Sequence, residues 1–447
     1  LERAADGSLH ENVWRADGMY GAAIRQIVQM LSLAIPYAEN ERQQSVIRKL
    51  IEFYETGNLA VFDAYTILWV EETEGEVDFT NGFTEVYGDP LGLKASWEGY
   101  VNYTDHQATR RAQTLSRNAQ WFEDHSPVDA RFKKPLCRGV SAKVINAAIL
   151  GGDLYPSSAI GINLPNSNWV RAEHGSKSVT IANLTHAYDE ATRGNGFRNE
   201  FADSAQTVSM MDRYGSVCDD LHTDLHECLG HGSGRLLPGV DPDALKAYGS
   251  TIEEARADLF GLYYLADEKL VELGLTPCQE AYKAQYYSYM MNGLLTQMVR
   301  IQPGHQIEEA HMRNRAFIAR WTLEHYPQAV RLSEQDGKHY VEILDYPLLR
   351  TAFGTLLAEI QRIKSEGDLQ AARQMVERYG VQIDAKLHQE VLERYSKLNL
   401  APYKGFINPR YTPIYDQEGR ITDVHIDYLE TYDEQMLRYS KQYNTLI

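Results

Sequence analysis

The segment LHTDLHECLGHGSGRLL, residues 221–237, constrains this chain more than any other stretch of it. His226 and His231 flank Glu227 with the second histidine five positions after the first. A regular helix turns by about 500° over that distance, which leaves the two imidazoles roughly 140° apart around the axis. Rings so placed cannot grip one ion. A single π-type turn lengthens the repeat by about one residue and returns both rings to one face. Gly230 is the position where such a bulge costs least. The motif therefore predicts a bulged helix, and bulges of this kind recur at functional sites.

A shared metal ion accounts for the paired histidines, and a catalytic ion needs a third protein ligand plus one open position for water. Downstream, STIEEARADLFGLYYLADEKLVELG reads as one strong helix. Ser250 and Glu253 stand at capping-box spacing, and Ile252, Ala255, Leu259, Leu262, Ala266 and Leu270 form its apolar stripe. Gly274 and Pro277 supply the stop. Glu254 and Asp258 project together on this helix, so one can ligate the ion while the other accepts a hydrogen bond from a ligand imidazole and fixes its tautomer. Two helical carboxylates ordinarily make a solvated face; their weight here comes from following the two histidines. HExxGH arises by chance in a chain of this length about once in a thousand, so coincidence is a poor account of it. Cys228 falls on the stripe Val217, Leu221, Leu225 and Leu229 and reads as core. His222 reads as a polar neighbour rather than a ligand.

The chain around this motif has the length, 447 residues, for two or three domain-sized units. Residues 13–70 read as helices, with apolar positions recurring at three and four in GMYGAAIRQIVQMLSLAI and QSVIRKLIEFY and turn chemistry such as ETGN between helices. NGFTEVYGDPLGLKASWEGYVNY reads as a turn at Asp89-Pro90 and Gly92 followed by a strand in WEGYVNY. AIGINLPN and SVTIANLT predict further short strands, residues 202–397 read as helical, and PIYDQEGRITDVHIDY as a hairpin turning at Glu418-Gly419. A formal net charge of -18 disfavours nucleic acid as a partner and suits substrates carrying positive charge. The longest apolar run, VINAAILGG, is far short of the ~20 residues of a membrane span, so none is proposed. Cys137, Cys218, Cys228 and Cys278 form no metal knuckle or disulfide scaffold, which points to a reducing compartment such as the cytoplasm. Because the chain opens on Leu1, a processed or deleted leading segment is expected and an exported form stays open.

HECLGH, GSGRL and EEARAD together resemble the paired signature of the dipeptidyl peptidase III family of zinc metallopeptidases. YGAAIRQIVQML, NGFTEVYGDPLG, GINLPN and AHMRNR are similar to segments of that family in the same order. Relative to longer members, roughly the first third is expected to be absent. The resemblance implies one zinc ion per chain, bound by His226, His231 and Glu254, with Glu227 as catalytic base. Glu253 and Asp258 are expected to stand behind the ligands. It implies His311 as the stabiliser of the reacting carbonyl and Arg315 near the peptide; by its own surroundings His311 would have read as a core histidine on the stripe Ile307, Ile318, Trp321. It implies Asn163 and Asn166 as grips on the peptide backbone, and Asp78, with Glu85 as a weaker candidate, as the partner of a substrate ammonium. Without the resemblance, the two asparagines read equally well as turn formers around Pro165. Ala255, Asp258 and Thr80 depart from the family, which usually carries cysteine, often glutamate and in many members tyrosine at those positions. The missing tyrosine puts one hydroxyl near the carbonyl in doubt and leaves more of that task to His311.

The implied fold is α+β with two lobes, a mostly helical zinc lobe over 99–146 and 195–396 and a mixed lobe with a β-barrel core over 1–98, 147–194 and 397–447. The implied reaction is release of dipeptides from the free N-terminus of short peptides. Two other readings stay open on the sequence: a zinc aminopeptidase removing single residues, and a non-catalytic zinc-stabilised peptide-binding protein, against which the presence of Glu227 argues.

Overall fold

The computed structural model describes residues 1–85, 95–137, 143–156, 158, 160–165, 167–175, 177–400 and 406–444. It divides into two compact units, one of Leu1–Asp105, Lys143–Thr185 and Gly405–Ile447, the other of His106–Ala142 and His186–Lys404. The expected boundaries at 98/99 and 146/147 would have cut two paired strands. Those strands exchange a ladder from Glu98↔Gly152 to Thr104↔Ile145 and stay whole in the first unit.

In the first unit, the periodic segments form α1 (Gly21–Ala34), α2 (Glu41–Thr56) and α3 (Leu59–Glu71). Asn40 caps α2 by accepting from the Gln43 amide, and Gly57 ends it at φ 68°, a conformation that suits glycine. Five strands follow: β1 (Val77–Glu85), β2 (Ser96–Thr104), β3 (Lys143–Gly152), β4 (Gly161–Leu164) and β5 (Lys177–Ile181). Their order is β1-β2-β3-β5-β4, with only β3 and β5 parallel. The sheet is an open half-barrel rather than a closed barrel. Residues 81–85, expected to lead into a turn, extend β1 instead, because Asn81 to Glu85 pair with Gly99 to Ser96. The turn expected at Asp89-Pro90 and Gly92 lies outside the described residues. A hairpin of Arg410–Tyr415 and Ile421–Asp427 turns at Gly419, φ 78°, where the sequence placed it.

The second unit is mainly helical. Its site-bearing helices are α4 (Ala205–Leu225), continued by a π turn at His226–Gly230, then α5 (Gly249–Leu265), α6 (Tyr282–Leu294), α7 (Ala310–His325) and α8 (Tyr346–Glu366). Ser204 caps α4, Glu309 caps α7 and Asp345 caps α8, each accepting backbone N–H bonds of the first turn. α5 is buried on nearly all sides, from Ile252 through Leu265. Three readings need correction here. The helix expected to run from 250 to 273 is two, because the chain breaks after Leu265 and Asp267 caps a second short helix at Glu268–Glu272. Ser250 and Glu253 form no capping box: α5 starts earlier, after Tyr248, and the Glu253 carboxylate is engaged elsewhere. Within the segment read as wholly helical, Val330–Gln335 and Lys338–Ile343 form a hairpin around Asp336 and Gly337, both at positive φ. Among the described residues, no helix is long and apolar enough to cross a membrane.

Candidate metal centre

The π turn is present where the histidine spacing required it. The His231 N–H donates to the His226 carbonyl at 3.1 Å, a five-residue closure. The two imidazoles then lie with ring centroids 4.7 Å apart and planes at 88°. Gly230 serves a second purpose that the sequence did not reveal. A Cβ there would lie 2.9 Å from Ala257 Cα and 3.0 Å from both Ala257 Cβ and O, so its absence lets the bulge press directly on α5.

That close approach delivers Glu254 to the histidines. One ligand atom from each of His226, His231 and Glu254 falls within 4.8 Å of the others. Glu254 Oε2 is 3.3 Å from His226 Nε2 and 4.0 Å from His231 Nε2. Two ligands held tetrahedrally ~2.05 Å from one zinc ion would be ~3.3 Å apart. The same Oε2 is buried without a hydrogen-bond partner among the described residues, a deficit that a cation removes. Nitrogen and carboxylate donors in this number fit zinc with a position left open.

Each imidazole is held by a carboxylate behind it. His226 Nδ1 donates to Asp258 Oδ1 at 2.7 Å, and His231 Nδ1 to Glu253 Oε1 at 2.8 Å. These bonds leave Nε2 of both rings for the ion. Tyr289 and Asn314 donate to the far oxygen of Asp258 at 2.7 and 3.1 Å, so the shorter aspartate is well supported. Burial works against ionisation of Asp258, yet the hydrogen bond and charge of His226 outweigh it and hold the carboxyl well below its usual range. Burial likewise opposes charge on His226, but Asp258, Glu254 and Glu227 prevail and push the imidazole up to about 10. The surroundings favour positive charge at this spot, and a divalent cation supplies it with the ring neutral.

Glu227 is exposed beside the triad. His311 begins α7 with its side chain 54% exposed, and its Nδ1 lies 3.4 Å from Glu254 Oε2, so it belongs to the rim of this centre and not to the core. Arg315, one turn further, is near enough for its charge to help hold Asp258 down. His222 stands at the centre's periphery, its Nε2 donating to the Asp258 carbonyl at 3.1 Å. Cys228 is buried, as its apolar stripe implied.

The residues expected to hold the peptide belong to the first unit. Asp78, expected to face a substrate ammonium, is 9% exposed and already engaged. Its Oδ1 accepts from Trp69 Nε1 at 3.0 Å and from the Phe79 amide, while its Oδ2 pairs with Lys177 Nζ at 2.9 Å. Lys177 neutralises it, so Asp78 is a structural anion rather than a free one. Thr80 is buried against the Tyr65 hydroxyl at 3.2 Å. Asn163 lies on β4 opposite Ser178; its side chain and that of Glu85 lie outside the described structure, as does Asn166 altogether. Sequence reasoning missed Tyr289, Asn314, Arg256 and Lys364. Tyr289 and Asn314 reach Asp258 across 31 and 56 residues, a separation at which spacing carries no signal.

Two imidazoles and a carboxylate around one point, each imidazole backed by its own acid, form a group that could hold a metal ion. The chain belongs to peptidase family M49, whose model matches residues 3–247 and 242–399. Dipeptidyl peptidase 3 of Dictyostelium discoideum is 27% identical over 311 residues, 61% of this chain and 43% of that protein. Human dipeptidyl peptidase 3 is 24% identical over 465 residues, 94% of this chain and 60% of that protein. The chain thus spans about half the length of these curated relatives. The fold is similar to that of DPP III from Caldithrix abyssi, with a TM-score of 0.71 at 21% identity over 88% of this chain and 72% of that one.

Proposed function

We propose that this chain is a zinc-dependent exopeptidase that releases dipeptides from the N-terminus of short oligopeptides. The observation that carries the reading is the convergence of His226, His231 and Glu254 within 4.8 Å, with Glu227 exposed beside them. His226, His231 and Glu254 would hold a zinc ion, which would supply Lewis acidity and lower the pKa of water toward neutral. Glu227 takes the proton of the attacking water and returns it to the leaving amine. His311, exposed at the start of α7, donates to the oxyanion that develops on the scissile carbonyl. Asp258 and Glu253 keep the two ligand rings in one tautomer and orientation.

Dipeptide release requires a grip on the substrate amine. With Asp78 paired to Lys177, the family resemblance leaves Glu85, Asn163 and Asn166 as the candidates for it. Asparagine offers a donor and an acceptor to a peptide backbone, and a glutamate offers charge to an ammonium. The low cysteine count, with no pattern of a dense disulfide scaffold in the sequence, supports a reducing compartment such as the cytoplasm.

The test is product analysis on a tetrapeptide and its N-acetylated twin with the zinc-loaded protein. Release of dipeptide from the free peptide and refusal of the acetylated one is the expected outcome. Release of single residues would make it an aminopeptidase, and equal cleavage of both peptides would make it an endopeptidase.

A further inference from the structure

The two carboxylates behind the ligand histidines differ in what compensates their charge. Asp258 meets neutral donors at its far oxygen, the Tyr289 hydroxyl and the Asn314 amide. The charge of Arg315 also helps hold the Asp258 carboxyl down. Glu253 instead meets two cations. Arg256 donates to it through Nε at 3.0 Å and Nη2 at 2.7 Å, and Lys364 Nζ forms an ion pair with Oε2. A carboxylate that accepts from an imidazole N–H raises the ring's basicity as a ligand. Cations on the same carboxylate draw its charge away and reduce that effect, and they also place like charge near the ion.

Arg256 and Lys364 are not equivalent. Arg256 has no exposed side-chain surface and also binds the Ser233 carbonyl and hydroxyl and the His231 carbonyl, so it shapes the chain that leaves the motif. Lys364 reaches in from the last turn of α8; its side chain is 31% exposed and has Glu253 as its one hydrogen-bond partner among the described residues. A lysine in a helix's last turn has an ordinary role in complementing the dipole. That role asks nothing of Glu253, and this side chain turns to it.

We infer that Lys364 is a positioning residue that acts through Glu253 to weaken the hold of His231 on the metal. His226 is then the firm ligand, His231 the yielding one, and Lys364 sets how readily the ion is released. The inference rests on the zinc-site reading above.

The experiment measures zinc release from the loaded full chain to a chromogenic chelator, for the parent, Lys364→Met, Lys364→Arg and Lys364→Met combined with Glu253→Gln. A merely structural lysine predicts faster release from Lys364→Met, because Glu253 loses a contact that orders it. The inference predicts the opposite sign: release slowed by about 3- to 10-fold, less than the ~10- to 100-fold span of outer partners that touch the ligand itself. Lys364→Arg should release at the parent's rate, and Glu253→Gln should abolish the slowing. Unchanged or faster release from Lys364→Met, or slowing that persists with Glu253→Gln, would overturn the inference. If Lys364→Met misfolds, Lys364→Gln replaces it with the same expectation. A parent that binds no zinc at all would instead remove the metal reading, so the two failures are distinct.

Discussion

Gly230→Ala sets two elementary effects against each other. In a free helix the substitution stabilises by about 1 kcal/mol, since alanine loses less backbone entropy than glycine. Here the added methyl would stand 2.9 Å from Ala257 Cα and 3.0 Å from its carbonyl oxygen. Contacts between non-bonded heavy atoms settle at ~3.5–4.0 Å, so a gap of roughly 0.6–1 Å must open against backbone that cannot rotate away. Overpacking of this kind costs about 1–3 kcal/mol, which offsets or exceeds the propensity gain. The displacement also exceeds the ~0.2 Å tolerance of metal–ligand distances, and it separates the turn bearing both histidines from the helix bearing Glu254. A 10- to 100-fold loss of zinc affinity adds about 1.4–2.8 kcal/mol to the cost when the ion is in excess. Urea unfolding with zinc and with chelator separates the two contributions. The chelated variant should be near the parent or up to about 2 kcal/mol weaker, and the zinc-dependent increment should shrink by the further amount. Stabilisation of about 1 kcal/mol in both conditions would refute the packing argument.

Alanine at His226, His231 or Glu254 should each lower zinc content by atomic emission, whereas Glu227→Ala should retain zinc and lose at least ~10²-fold in turnover; near-normal turnover would take Glu227 out of the reaction. Tyr289→Phe removes only the hydroxyl that steadies Asp258 and should loosen zinc by about 10-fold with little change in apo stability, read by chelator competition. Asp78→Asn leaves Lys177 partly buried beside Trp69 without its counter-ion. It should destabilise the protein by about 2–4 kcal/mol in denaturant titration, and a change confined to peptide discrimination would restore Asp78 as an amine anchor. Thiol reagents should modify the partly exposed Cys278 before the buried Cys137, Cys218 and Cys228, as peptide mapping would record.

What was legible in the sequence is what repeats locally. The His226–His231 spacing demanded a π turn because only that geometry faces both rings one way, and the Glu254–Asp258 pair announced itself by helical spacing. The hairpin at 330–343 carried an Asp-Gly turn signal, but it was submerged in a segment judged by its helical majority. Helix α5 was overextended because Ala266 and Leu270 continue its apolar stripe through the break after Leu265. Glu253 read as a cap because spacing shows which groups can meet along a helix, not what arrives from another one. For the same reason Asp78 read as a free anion: Lys177 lies 99 residues away and meets it only through the sheet.

The sequence distances within the metal centre bear on its order of assembly. His231 and Glu253 are 22 residues apart, while Glu253 and Lys364 are separated by 111. Closing the longer loop costs about 1.4 kcal/mol more in chain entropy, and it waits on helices that follow in synthesis. All three candidate ligands lie between the end of α4 and the first turns of α5, so chain entropy favours their meeting over the longer closure that brings Lys364 to Glu253. In the order of loop closure the lysine is the costlier addition, joined to a cluster whose own members are near neighbours in the chain.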